Sequence, residues 1–241
     1  MKLAELVKRP PSQLLAMALG VAQDRLQDAK DARAGNEFSR LHALVRPYTE
    51  CGNARLRSLY DAVQQVVAND IPGAVVECGT ARGGSGALMG LTLQSLGAKR
   101  PLWLFDTFEG LPPPSEADPD RDVAELYVGA FRGGEDEVRG LLERLGVGDS
   151  SRLVKGLFQD TLPTVDTGPI AVLHLDGDWY DSLRVCLDQL YDKVSPGGYI
   201  QFDDYGYWEG ARKAIDEFRA ERSITAPLRR IDFTGRMLIK P

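Results

Sequence analysis

Four aspartates fall in two short clusters, His174-Leu175-Asp176-Gly177-Asp178-Trp179-Tyr180 and Phe202-Asp203-Asp204-Tyr205-Gly206. Each cluster follows an apolar run that reads as a strand, Ile170–Leu175 and Tyr199–Phe202. Ligands of parallel sheets gather at such carboxyl ends. Four carboxylates converging there repel one another unless they are protonated or share a cation. Oxygen-only ligation favours Mg²⁺, Mn²⁺ or Ca²⁺ over zinc. The plainer alternative is capping: Asp178, Asp181 or Ser182 could open the helix that follows, and Asp203 or Asp204 could face water. His174 alternates with Asp176, so both side chains could share one face of the strand; a satisfied core histidine is the other reading. His42 has no motif around it and receives no role.

A second constellation lies upstream. Val75-Val76-Glu77-Cys78-Gly79-Thr80-Ala81-Arg82-Gly83-Gly84-Ser85-Gly86 is a strand, a glycine-rich turn and the start of a helix. Glycine lets backbone approach a ligand and supplies unusual dihedral angles. The N–H groups at the helix start attract an anion such as a carboxylate. The spacing is G-x-x-x-G-G rather than the G-x-G-x-x-G of dinucleotide sites. Glu77 suits a cationic partner such as the amino group of S-adenosylmethionine; a purely structural glycine turn is the alternative. Asp106 ends the run Leu102-Trp103-Leu104-Phe105-Asp106, where a carboxylate can accept from both hydroxyls of a ribose or act as a cap. Asp160, in Gly156-Leu157-Phe158-Gln159-Asp160, follows a third strand and is either near an adenine or a plain loop residue.

The elements that must position these residues follow from the apolar rhythm. From Ala74, strand-like runs (Ala74–Cys78, Leu102–Phe105, Arg152–Val154, Ile170–Leu175, Tyr199–Phe202) alternate with helix patterns (Gly86–Leu96, Glu135–Leu145, Ser182–Lys193, Tyr207–Arg222). Such alternation predicts an α/β fold with a parallel sheet covered on both faces. Leu228–Ile231 and Arg236–Ile239 flank Phe233-Thr234-Gly235 too closely for a crossover helix and predict an antiparallel hairpin. A mostly parallel seven-stranded sheet closed by such a hairpin is the Rossmann-like outline of class I methyltransferases. Upstream, Asn53 is a candidate cap for a helix carrying Leu56, Leu59, Tyr60, Val63 and Val67 on one stripe. Residues 1–50 read as a helical extension or lid, broken at Pro10–Pro11 and Arg46–Pro47, and 51–241 as the catalytic domain.

Composition excludes several classes. Net charge is −6 over 241 residues, so no clustered cationic surface for nucleic acid is expected. No apolar run reaches the ~18–20 residues of a membrane span. Lys2, Glu5, Lys8 and Arg9 do not resemble a signal-peptide core. Cys51, Cys78 and Cys186 are too widely spaced for a zinc knuckle or disulfide framework and read as reduced, buried thiols. The expectation is a cytoplasmic protein.

Four ordered motifs carry a resemblance: Val76-Glu77-Cys78-Gly79 with Arg82-Gly83-Gly84-Ser85; Phe105-Asp106-Thr107-Phe108-Glu109-Gly110-Leu111-Pro112; Leu175-Asp176-Gly177-Asp178-Trp179-Tyr180-Asp181-Ser182; and Ser195-Pro196-Gly197-Gly198-Tyr199 with Asp203-Asp204-Tyr205. Over about residues 45–240 the chain resembles the macrocin O-methyltransferase (TylF/MycF-type) family, which methylates sugar hydroxyls of natural products. The resemblance implies a Mg²⁺ or Mn²⁺ ion held by Asp176, Asp203 and Asp204, with Asp178 as general base. It places the methionine part of S-adenosylmethionine near Glu77, Gly79, Thr80 and Ser85, its ribose at Asp106, and Thr49 in a segment closing over it. After Thr49 the chain has Glu50-Cys51 where the family pattern is apolar. A glycosylated small-molecule acceptor and a homodimer are also implied. The N-terminal extension and the acidic loop Pro112–Asp122 are expected to shape the acceptor site.

A sugar hydroxyl is a weak nucleophile, and an aspartate of ordinary pKa, about 3.9, is a weak base. A cation that lowers the hydroxyl pKa and orients the oxygen would let Asp178 take the proton. The rivals are a catechol-type methyltransferase, a glycosyltransferase using Asp176-Gly177-Asp178 as a D-x-D motif, and an oxidoreductase, the last opposed by the glycine spacing.

Overall fold

The computed structural model describes residues 11–241. Helices α1 (Pro11–Ala34), α2 (Glu37–Val45) and α3 (Asn53–Ala68) precede the sheet. Strand β1 (Ala74–Cys78), helix α4 (Gly84–Ser95) and strand β2 (Leu102–Asp106) follow, then the short helix α5 (Arg121–Ala124), α6 (Glu135–Arg144) and β3 (Ser151–Lys155). The rest is α7 (Phe158–Thr161), β4 (Ile170–Leu175), α8 (Tyr180–Leu190), β5 (Val194–Phe202), α9 (Glu209–Glu221), β6 (Arg229–Arg230) and β7 (Arg236–Ile239).

The seven strands lie in the order β3-β2-β1-β4-β5-β7-β6. β1 to β5 are mutually parallel, whereas β7 runs antiparallel to both β5 and β6. This is the expected class I methyltransferase sheet, hairpin included. Chain order reverses between β1 and β4, and ligands of open α/β sheets bind at the carboxyl ends beside such a reversal.

Burial explains the central strands. All residues of β1 and of β4 are buried, as required of parallel strands covered on both faces. Val75, Leu102, Leu104 and Val172 pack with α2, α3, α4 and α6; Val76, Phe105, Leu173, Ile200 and Phe202 pack with α8 and α9 on the other face. Helix α4 is buried nearly all round from Gly84 to Leu93, which fits its run of small and apolar residues. Phe38, Leu41 and Val45 of α2 enter the same core as Leu59 and Val63 of α3.

Several boundaries differ from expectation. Asn53 is not the cap of α3 but lies within its first turn; extended Gly52 is the N-cap. The chain reaches that point through a turn in which the Cys51 N–H donates to Thr49 Oγ1 at 3.0 Å. The extension also breaks at Gly35, whose φ is +60°, and Asn36 then caps α2 by accepting from the Ser39 N–H. Glycine followed by asparagine is a readable stop-and-start signal. Pro47 does sit in a 3₁₀ turn, Arg46–Tyr48; Pro10 lies outside the described residues. Helix α8 opens at Tyr180 rather than Ser182, and α9 at Glu209 rather than Tyr207. The hairpin strand expected over Leu228–Ile231 is shorter, Arg229–Arg230. Among the described residues no helix is long and apolar enough to cross a membrane, and all three cysteines are buried and free.

Candidate active site

The ends of β1 and β4 are joined tightly. The Asp176 N–H donates to Cys78 O at 2.8 Å, and a Cβ on Gly79 would lie 1.8 Å from Asp176 O. Gly79 also has a φ of +92°, so glycine is required there by both contact and conformation. The turn continues through Ala81 at φ +45° and Gly83 at φ +89° into α4. Asp106 fastens it: Oδ2 accepts from the Thr80 and Ala81 N–H groups at 2.7 and 2.9 Å, and Oδ1 from the Phe108 N–H at 2.7 Å. The residue expected at a ribose is thus also the clamp of the glycine turn. A carboxylate has about four acceptor sites, so the clamp does not exhaust it.

The aspartates converge. Carboxylate oxygens of Asp176, Asp178 and Asp204 lie within 4.8 Å of one another, as do ligand atoms of His174, Asp176 and Asp203. Asp178 has a φ of +58° and is the centre of a tight turn in which the Trp179 N–H donates to Gly177 O at 2.6 Å. Left-handed backbone is uncommon outside glycine and tolerated best by Asn and Asp. Trp208, ahead of α9, donates its indole N–H to Asp178 Oδ1 at 2.9 Å.

Asp203 has a different environment. It forms a buried ion pair with Arg55 of α3, faces His174 Nε2 at 3.2 Å and accepts from the Cys51 thiol at 3.4 Å. Arg55 reaches on to Asp232 at 3.0 Å, whose other oxygen accepts from the Thr234 and Gly235 N–H groups of the hairpin turn. On the far side His174 Nδ1 lies 2.9 Å from Glu77 Oε1.

These surroundings separate the acids electrically. Burial, then neighbouring carboxylates, pushes Asp176 and Asp178 well above the ordinary carboxylate range, with the Trp208 N–H opposing at Asp178. Asp204 rises to about 6 through burial and the Asp203 charge. Burial would also raise Asp203, but Arg55 and His174 outweigh it and hold it near 2. His174 would be lowered by burial, but Asp203 and Glu77 bring it to about 9.

The donor set fits a hard divalent cation. Asp204 Oδ2 is buried without a hydrogen-bond donor, and Asp176, Asp178 and Asp204 disfavour one another's ionisation until a cation compensates. Asp203 can share in ligation only through an oxygen already facing Arg55, Cys51 or His174.

These groups open on a cavity of about 670 Å³. Its wall includes Thr49, Gly79, Thr80, Ser85, Asp106, Asp176, Asp178, Asp203 and Asp204. Glu77 is fully buried beneath it, with Oε2 lacking a partner. Asp160 is not on the wall: it is exposed on α7, whereas Phe158 and Gln159 line the cavity. From the extension, Leu14, Ala18, Val21 and Arg25 form one stripe along the wall. The loop Pro112–Asp122 is anchored where Trp179 Nε1 donates to Pro112 O at 2.7 Å and the Tyr180 N–H donates to buried Asp118 at 2.8 Å. Asp118 therefore serves the start of α8, the capping role that sequence offered to Asp178, Asp181 or Ser182. Sequence reasoning missed Arg55, Asp118, Trp208 and Asp232; Arg55, Asp118 and Asp232 meet the site from other segments, Trp208 follows Asp204 by four residues but serves Asp178, and no local pattern marks any of them.

The sequence model of a protein family described as Macrocin-O-methyltransferase (TylF) matches residues 4–240. The chain is 38% identical over 196 residues to the 8-demethyl-8-(2,3-dimethoxy-alpha-L-rhamnosyl)-tetracenomycin-C 4'-O-methyltransferase of Streptomyces olivaceus, covering 78% of this chain and 74% of the relative. It is 37% identical over 193 residues to the demethyldecarbamoylnovobiocin O-methyltransferase of Streptomyces niveus, with coverage of 78% and 74%. Among solved structures, the O-methyltransferase NovP superposes with a TM-score of 0.76 at 35% identity, covering 80% of this chain and 82% of that one.

Proposed function

The chain belongs to the macrocin O-methyltransferase family, and on that premise we propose that it methylates a sugar hydroxyl of a glycosylated secondary metabolite in a divalent-cation-dependent reaction. The methyl donor is S-adenosylmethionine, whose sulfonium supplies an already activated methyl group. The observation that carries the reading is the convergence of Asp176, Asp178 and Asp204 on the cavity that the glycine turn also lines. One relative is named for a rhamnosyl-bearing tetracenomycin and the other for demethyldecarbamoylnovobiocin.

Asp176 and Asp204, with Asp203 through a shared oxygen, would hold Mg²⁺ or Mn²⁺, which when bound polarises and orients acceptor hydroxyls. Thr80 Oγ1, which has no partner within the protein, and the hydroxyl of Ser85 at the start of α4 would serve the methionine carboxylate, and Glu77 Oε2, likewise without a partner, would give its ammonium a counter-charge. Asp178 takes the proton from the acceptor oxygen. Trp208 fixes its Oδ1, leaving Oδ2 as the receiving atom. Leu14, Ala18 and Val21 of α1, with Leu111 and Pro112, give the acceptor an apolar wall that also excludes water from the oxygen being methylated.

The test is methyl transfer by metal-stripped protein to a panel of natural-product glycosides, with and without Mg²⁺. Transfer that needs both the glycoside and the cation supports the proposal. Equal transfer in the presence of a chelator removes the cation from it, and transfer to catechols but not to glycosides replaces the acceptor class.

A further inference from the structure

One buried side chain joins the two ends of the site. His174 lies between Glu77 on β1 and Gln201 on β5 in the strand register, forming one row across three adjacent strands. Its ring is fully buried. Nδ1 faces Glu77 Oε1 at 2.9 Å and Nε2 faces Asp203 Oδ1 at 3.2 Å. A neutral imidazole donates from one nitrogen only and would turn its lone pair against the other carboxylate. Each ring nitrogen has a carboxylate oxygen of its own within hydrogen-bonding reach. The row extends a chain of facing polar side chains: Asp232, Arg55, Asp203, His174, Glu77.

Within this chain Arg55 and Asp203 lie on the cavity wall, while Glu77 is buried two residues before Gly79, which lines it. Glu77 uses Oε1 on His174 and leaves Oε2 buried without a partner. A Cβ on Gly86 would lie 2.8 Å from that oxygen, so the start of α4 is already packed against it. Asp203 lies on the cavity wall, next to Asp204.

We propose that His174 is a positioning residue that holds the Glu77 and Asp203 carboxylates in register, so that one side chain sets both the cofactor end and the cation end of the cavity. The inference rests on the methyltransferase reading for what occupies those ends. The arrangement of His174 itself does not. In water a flexible pair of carboxylates would separate; here a charge-assisted hydrogen bond on each side fixes both, and each acid depends on the ring for its orientation. A core histidine that merely filled space would need no acid on either nitrogen.

The experiment is a double-mutant cycle on the full-length protein, read by calorimetric titration with S-adenosylmethionine in the absence of metal. His174→Gln can donate toward one carboxylate but opposes the other with its carbonyl oxygen. It is expected to weaken binding roughly ten- to hundred-fold, the scale of a hydrogen bond to a charged group. Glu77→Gln should weaken binding too, and the double variant should bind no more weakly than Glu77→Gln alone, because the two changes remove one interaction. Unchanged affinity in His174→Gln at a temperature where it is fully folded, or additive losses in the double variant, overturns the proposal. If the unmodified protein bound no S-adenosylmethionine, the methyltransferase reading would fail instead. The positioning role would then be decided by the ring-nitrogen NMR signals of His174: an Nδ1 signal moved by Glu77→Gln and an Nε2 signal moved by Asp203→Asn uphold it, and a ring signal that either substitution leaves in place rejects it.

Discussion

Trp208 donates its indole N–H to Oδ1 of Asp178 at 2.9 Å, while the backbone of Asp178 sits in the left-handed region at φ +58°. The side chain proposed to accept a proton is therefore held at one oxygen and turned by its own backbone into the cavity. Asp178→Asn keeps a residue that tolerates this conformation and removes the base. We expect turnover to fall about 10²- to 10⁴-fold, the usual contribution of a general base, with S-adenosylmethionine affinity unchanged by calorimetry. Full turnover in this variant would remove Asp178 from the mechanism. Trp208→Phe should show a smaller loss of turnover, because it frees the carboxylate without deleting it.

The ligand set can be separated by titrating Mg²⁺ into metal-free variants. Asp204→Asn, which neutralises the carboxylate whose Oδ2 lacks a donor, should weaken Mg²⁺ by at least ~100-fold, beyond the usual effect of an outer-sphere change. Asp203→Asn should also lose its pairing with Arg55 and His174, so its melting temperature falls together with its metal affinity. Equal Mg²⁺ affinity in Asp204→Asn and the unmodified protein would place the cation elsewhere.

Stability of the metal-free protein should depend on pH in a defined direction. Asp204 is raised from 3.8 to about 6; a raised carboxylate costs stability as it ionises, so this cost grows from about pH 4 and is complete above its folded pKa. His174 is raised from 6.5 to about 9; its stabilising contribution is complete below pH 6.5 and is lost as pH rises through 9. Both effects lower the melting temperature from pH 4 to pH 9. Saturating Mg²⁺ should cancel the carboxylate part and leave the histidine part. A melting temperature that rises steadily with pH in the metal-free protein would contradict this assignment.

Much of this site was legible locally. The D-G-D and D-D clusters, the G-x-x-x-G-G turn and Asp106 all lie at strand ends, where period and composition identify the strand and hence its carboxyl end. The hairpin was legible because its connection is too short for a crossover. Arg55 was not, since its partner Asp203 is 148 residues away and an arginine on an amphipathic helix reads as solvated. Trp208 looked like an ordinary helix-start aromatic, with Asp178 30 residues upstream. Glu77 is readable on its strand, but its contact with His174 on the neighbouring strand is not, because no pattern in either strand reports that pairing. Asp160 shows the opposite error: a short helix turned it to solvent, while its neighbours took the wall.

Close packing around the glycine turn gives a paired test. A Cβ on Gly84 would meet Tyr48 O at 2.6 Å and Thr49 Cβ at 2.7 Å. Gly84→Ala should therefore displace the Tyr48-Thr49 segment, costing about 1–3 kcal/mol and weakening S-adenosylmethionine binding. Gly140→Ala on α6 meets only the end of Arg144 at 3.3 Å; it should leave binding alone and gain up to ~1 kcal/mol from helix propensity. Chemical denaturation with calorimetry would check both, and equal behaviour of the two variants would refute the packing argument.

The anchoring of the acidic loop also bears on how acceptor preference can be changed. Its two ties, Pro112 to Trp179 and Asp118 to Tyr180, attach to the residues immediately after the proposed base. A foreign loop spliced in between β2 and α5 would inherit the job of seating that turn, whatever acceptor it was chosen for. Chimeras lacking a carboxylate equivalent to Asp118 would leave the first N–H of α8 unserved and let Asp178 drift, so they would lose rate on every acceptor at once. Chimeras that retain it could trade one glycoside for another at undiminished rate, which makes Asp118 the fixed splice point for redesigning this enzyme.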